Sequence, residues 1–139
     1  MLIQLGYISR ATRLMNESAL TELLDQARNI NEIEDITGLL LYKDGSFVQV
    51  LEGDSDNVGK IYRRIQHDIR HHQVKTLYQQ EIQTRDFPDW RMGFQNLSDA
   101  GFEPPPGFSR FMEADYPLEQ FLADPTRARR LMLFFRAKS

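Results

Sequence analysis

The stretch from Ile36 to Gly53 constrains this chain more than any other, because it is two apolar runs joined by Asp44-Gly45. An Asp-Gly pair in that setting predicts a two-residue type I′ hairpin, since both central residues must take positive φ. With those two residues as the loop, Lys43 faces Ser46, Tyr42 faces Phe47, Leu41 faces Val48 and Leu40 faces Gln49. Side chains alternate along a strand. Leu40, Tyr42, Phe47, Gln49 and Leu51 therefore share one face, and Leu39, Leu41, Val48 and Val50 the other. Both faces are apolar, which puts the hairpin inside the protein. Gln49 is the exception. A buried primary amide without a partner costs ~1–3 kcal/mol. Something polar must meet it, either protein or ligand.

The flanking sequence supplies the rest of a sheet. Leu2 to Ile8 alternates as a strand with Ile3, Leu5 and Tyr7 on one face, and Ser9–Thr12 reads as a polar exit. Asn16 or Ser18 caps a helix with the stripe Leu20, Leu23, Leu24 and Ala27, ending near Arg28–Asn31. Asp54-Ser55-Asp56 opens a second helix with the stripe Val58, Ile61, Tyr62, Ile65 and Ile69, ending in the polar cluster Asp68–His72. Val74–Ile82 is a further strand. After a turn at Phe87-Pro88-Asp89 comes a short strand in which Trp90, Met92 and Phe94 are expected on one face.

This order predicts an α+β fold, a ferredoxin-like sandwich of βαββαβ plus an extra strand, with two helices on one face of the sheet. The first and third strands are then neighbours, which sets Tyr7 and Gln49 on adjacent strands. Alternation leaves open whether they share a face. Residues 1–97 make up this domain. Residues 98–139, within which Glu103–Gly107 breaks the pattern, are expected to form a C-terminal helical extension docked on the core. Asp124-Pro125 opens its last helix, with Ala128, Leu131, Met132 and Phe135 as the apolar stripe.

Charge and composition narrow the function. The net charge of -3 conceals an acidic body, since 12 bases stand against 20 acids in Met1–Asp124 while Pro125–Ser139 holds five bases and no acid. An acidic body argues against nucleic acid as a partner. No apolar run is long enough to span a membrane, and the first residues enter a strand pattern directly, so a cytoplasmic setting and no membrane partner are expected. Without cysteine there is no thiol nucleophile and no cysteine-based zinc site. His67 and His71 have the i, i+4 spacing of a metal-binding pair but no third ligand, and a polar helix end with no metal is the simpler reading. No Walker loop, Gly-x-Gly-x-x-Gly or Ser-His-Asp order is present, so no enzyme is expected. An acylphosphatase-like hydrolase would need an anion-cradling loop after the first strand, and Ser9–Met15 has no glycine to form one.

Taken singly, Tyr7, Asn31 and Gln49 are an ordinary core tyrosine, helix end and strand glutamine. Together they form an ordered set: Tyr7, Asn31, Ile36-Thr-Gly-Leu-Leu40, Phe47-Val-Gln-Val-Leu-Glu-Gly53, Tyr62-Arg-Arg-Ile65, Asp68-Ile-Arg-His-His72 and Phe87-Pro-Asp-Trp-Arg-Met92. This set resembles the BLUF family of flavin-binding blue-light sensors, over about Leu2–Leu97. The resemblance implies a non-covalently bound FAD between the two helices; FMN or riboflavin would make the same ring contacts. It implies that Tyr7 gives an electron and a proton reversibly to the light-excited flavin. Gln49 would bridge Tyr7 and the flavin edge and rearrange, and the Trp90–Met92 pair would carry the change outward. Asn31 would bond the polar ring edge, Arg64 a ring carbonyl, and Asp68, Arg70 and His71 would sit around the ribityl chain and phosphate. Arg91 departs from the small polar residue of many members. The implied partner is a downstream effector protein in trans, with room for a homo-oligomer. The competing expectation is a flavin-free interaction module of the same fold.

Overall fold

The computed structural model describes residues 1–96; the extension assigned to 98–139 lies outside the described residues. The elements are β1 (Leu2–Ala11), α1 (Glu17–Glu34), β2 (Thr37–Lys43), β3 (Ser46–Asp54), α2 (Ser55–Gln66), β4 (His71–Glu81) and β5 (Gly93–Asn96). They form the α+β, ferredoxin-like sandwich expected. One five-stranded sheet has the order β4-β1-β3-β2-β5. It is mixed, because β5 joins β2 in parallel while β1, β2, β3 and β4 pair antiparallel.

The hairpin forms as its sequence dictates. Asp44 and Gly45 take φ of 46° and 90°, and Lys43↔Ser46 through Leu40↔Gln49 are paired as expected. Both faces are buried, with Leu39, Leu41 and Val50 at 0% exposure. Ile3, Leu5, Leu40, Phe47 and Leu51 pack against Leu20 and Leu24 of α1 and Val58 and Ile61 of α2, so both helices cover the same face. Among the described residues no helix is long and apolar enough to cross a membrane.

The ends of β1, α1 and α2 differ from the sequence reading, while the α1 cap is one of the two residues expected. β1 does not stop at Ile8 but runs to Ala11, because Ser9 and Arg10 pair with Phe47 and Ser46, and Arg10 and Ala11 with His72 and His71. Asn16 is the cap of α1, its side chain accepting from the Ala19 amide at 2.8 Å. The helix continues to Glu34, one turn past Asn31, and ends where Asp35 turns left-handed at φ 55°. α2 ends at Gln66, and Ile69 is 88% exposed rather than on the apolar stripe. Here the end of β1 captures the backbone: Thr12 N donates to the Arg70 carbonyl at 2.8 Å and its hydroxyl to the Ile69 carbonyl at 2.7 Å. His71 consequently lies in β4 and not one helical turn from His67, which removes the geometry of the metal pair.

The last correction concerns Trp90, Met92 and Phe94. Regular pairing begins only at Gly93, so alternation does not govern the residues before it. Met92 enters the helix-side core. Trp90 lies on the other side, its ring centroid 5.9 Å from that of Phe87 and its edge over Gly93 next to Leu39. Gly38 permits this arrangement: its amide donates to the Trp90 carbonyl at 3.0 Å, and a Cβ there would run into the Val50 carbonyl.

Candidate functional site

Tyr7 and Gln49 are direct cross-strand partners in the centre of the sheet. Residues opposite one another in an antiparallel pair share a face, so the register settles what alternation left open. The Tyr7 hydroxyl donates to Gln49 Oε1. Burial, with the neighbouring Tyr62 and Asp68 adding to it, pushes the Tyr7 phenol far above its ordinary range. The phenol stays protonated, and in this structure it donates to the amide oxygen, which faces Tyr7. The Gln49 nitrogen then points away, to the Met92 sulphur at 3.2 Å. A thioether is a weak acceptor. The amide thus spends a strong donor on a poor partner.

Above this pair, α1 and α2 leave a half-enclosed cleft of about 140 Å³. Leu23, Ala27 and Ile30 of α1 and Ile61 and Ile65 of α2 form its walls, and Leu40, Phe47 and Leu51 its floor. An apolar cavity of roughly this size admits a single aromatic ring, and the open side leaves room for a planar system to extend outward. Tyr7, Asn31, Gln49, Arg64, Asp68, Arg70 and His71, the seven cofactor-contacting residues inferred from sequence, all line this one cleft. Trp90 and Met92 do not line it. Met92 sits behind Gln49, and Trp90 is across the sheet.

Each polar group is held differently. Asn31 is 2% exposed, and its Nδ2 donates to the Arg91 carbonyl at 2.6 Å. Arg64, in the last turn of α2, is exposed, and its guanidinium makes no hydrogen bond or ion pair among the described residues. Arg70 grips Asp68 through Nη2 at 2.6 Å and Nε at 3.0 Å, and reaches Gln26 Oε1 at 2.9 Å. His71 bridges two elements. Nε2–H donates to the Ile65 carbonyl, and Nδ1 is hydrogen-bonded to the Ser9 hydroxyl at 2.9 Å. Sequence reasoning passed over Ser9 and Gln26, which hold two of the cleft residues in place. Polar residues at a strand end and on an exposed helix flank carry no signal of their own.

The Arg70 hydrogen bond to Asp68, reinforced by the Arg70 amide and charge, holds the Asp68 carboxyl below its ordinary range. A depressed folded value gives stability that is present above the unfolded value and lost as pH falls through the folded one. The pair is only partly buried, with side-chain exposures of 39% and 27%. Asp68→Asn should therefore cost no more than about 1 kcal/mol at neutral pH. The gap between the two proteins should close below about pH 4, read by urea unfolding across a pH series.

Known proteins resemble this chain in sequence and fold. The family model described as sensors of blue-light using FAD (BLUF) matches residues 2–93. The photoactivated adenylate cyclase subunit beta of Euglena gracilis is 41% identical over 92 residues, covering 66% of this chain and 11% of that protein. The chain thus spans about a tenth of the length of the curated relatives it matches. The dark-state structure of BlrB, a BLUF protein, aligns with a TM-score of 0.71 and 30% identity, covering 94% of this chain and 97% of that one. The structure of Klebsiella pneumoniae BlrP1 with FMN and cyclic diGMP aligns at 0.68 and 29% identity, covering 96% of this chain and 33% of that one.

Proposed function

The chain belongs to the BLUF family of flavin-binding blue-light sensors, and on that premise we propose that it is a reversible photoswitch in which Tyr7 is the redox donor and Gln49 the moving part. The observation that supports this most is the buried chain Tyr7 hydroxyl–Gln49 amide–Met92 sulphur beneath the cleft. The cleft residues fit a flavin: apolar walls for the ring, a misused amide donor for its polar edge, Asn31 beside it, and the free guanidinium of Arg64 for a carbonyl. A bound flavin supplies visible absorption and an electron-accepting ring. With the flavin bound, Tyr7 would lend an electron and its phenolic proton on illumination and take both back. Gln49 would relay the proton and be left rotated or tautomerised, giving up its weak bond to Met92. The network then has two arrangements, which is the bistable element a switch requires.

FAD is the proposed cofactor, from the family's description; FMN offers the same ring. In this reading the chain turns over no substrate. Arg70, Asp68 and His71, which line the cleft, would hold the ribityl chain and phosphate. The change passes through Met92 to β5 and on to an effector protein in trans, in the cytoplasm; related proteins carry names that join light sensing to adenylate cyclase.

An absorption spectrum in the dark and under blue light tests the proposal. A flavin spectrum that moves to the red without bleaching and recovers in darkness is the expected result. A colourless protein that takes up no added FAD would leave a flavin-free interaction module. A bound flavin that bleaches would remove the role given to Gln49. Asn31→Ala should lower flavin occupancy. Losing one amide contact is worth about 1 kcal/mol, or roughly fivefold in affinity, read as the flavin-to-protein ratio after purification.

A further inference from the structure

Across the sheet from the cleft lies a second buried polar cluster, centred on Glu52. This residue is in β3, three positions after Gln49 and on the opposite face, and it is 0% exposed. Its Oε2 accepts from Gln4 Nε2 at 2.8 Å and from the Asp86 amide at 2.7 Å. Its Oε1 accepts from the Phe87 amide at 2.8 Å and from the Thr37 hydroxyl at 3.2 Å. Thr37 itself accepts from Arg85 Nη1 at 2.9 Å, so its own proton must go to Glu52. Four donors converge on one carboxylate, whose two oxygens have about four lone-pair sites. The position is built for a group that only accepts.

Two of those donors are backbone amides at the start of the segment that ends at Met92. Beyond them, Phe87 is 1% exposed and packs on Trp90. The Trp90 carbonyl is tied to Gly38, the Arg91 carbonyl to Asn31, and the Met92 carbonyl to Arg28 Nε at 3.0 Å. The segment is thus anchored at its origin by Glu52 and delivers a sulphur to the Gln49 amide at its end.

We infer that Glu52 is a positioning residue of the photoswitch: by clamping the amides of Asp86 and Phe87, it holds Met92 at the dark-state position of the Gln49 amide from the far side of the sheet. This rests on the switch proposed above. Loosening the clamp leaves the amide without a fixed partner to return to, so the lit form should persist.

Glu52→Gln tests this in the full chain, since it keeps the shape but turns an amide group toward donors. Dark recovery should slow by roughly three- to tenfold, the factor carried by one lost hydrogen bond, with flavin still bound in the untouched cleft. Trp90 is the single tryptophan, and its emission should move to longer wavelength, with or without added FAD, as its ring loosens from Phe87. A merely structural role would lower thermal stability and leave recovery alone; recovery within about twofold of the parent would overturn the inference. Should Glu52→Gln fail to fold, Thr37→Val removes one donor to the carboxylate and should slow recovery in the same direction by a smaller factor. A parent protein with bound flavin and no red shift would refute the switch, while the Trp90 emission would still report whether Glu52 holds the segment.

Discussion

Gln49→Leu is expected to keep its flavin and lose the light-induced red shift altogether. Leucine has nearly the same volume, so the sheet and the apolar walls of the cleft should persist. What disappears is the side chain that hydrogen-bonds both Tyr7 and Met92. Without the amide there is no second arrangement of hydrogen bonds to populate, and the absorption of the bound flavin should be the same before and after illumination. Stability should fall by about 1–3 kcal/mol, because the Tyr7 hydroxyl is left buried without an acceptor. A red shift of normal size in this variant would refute the assignment of the switch.

Tyr7→Phe should be equally silent, for a different reason. The ring remains in the core, within 5.4 Å of the Tyr62 ring, and only the hydroxyl is lost. Gln49 keeps its place but has no donor below it, and the reaction has no source of electron and proton on that side. An unaltered photocycle would mean that another residue is the donor, and Tyr62 would be the first to examine. The two variants also make a thermodynamic pair. Each alone strands one buried polar group, whereas together they remove both, so the double variant should be more stable than the sum of the single losses predicts.

The hairpin was legible in the sequence down to the register because one dipeptide dictates the loop, and the loop dictates every facing pair. The meeting of Tyr7 and Gln49 was half legible. Adjacency follows from topology, but a shared face depends on register between strands far apart in sequence, which only the packed sheet decides. The ends of α1 and α2 were misplaced because capping residues compete with tertiary contacts: Thr12 reaches across to end the region after α2, and nothing local announces it. Trp90 and Met92 were paired on one face by a strand rule applied before the strand begins. Gln4 and Glu52 were missed although they carry the same signal that singled out Gln49, a polar residue inside an apolar strand. Their partners lie in the irregular stretch at residues 85–87, where periodicity says nothing.

Tyr7 and Gln49 stand opposite each other on two antiparallel strands, each of which is paired with a further strand on its other side. A switch built there has little freedom to drift. On the proposed mechanism the paired main chain would hold still as the amide turns, so each illumination would start from and relax to the same template, and repeated cycling should leave no hysteresis. Fidelity of reset would then be a property of the ladder, with the moving parts confined to the side chains of Gln49 and Met92.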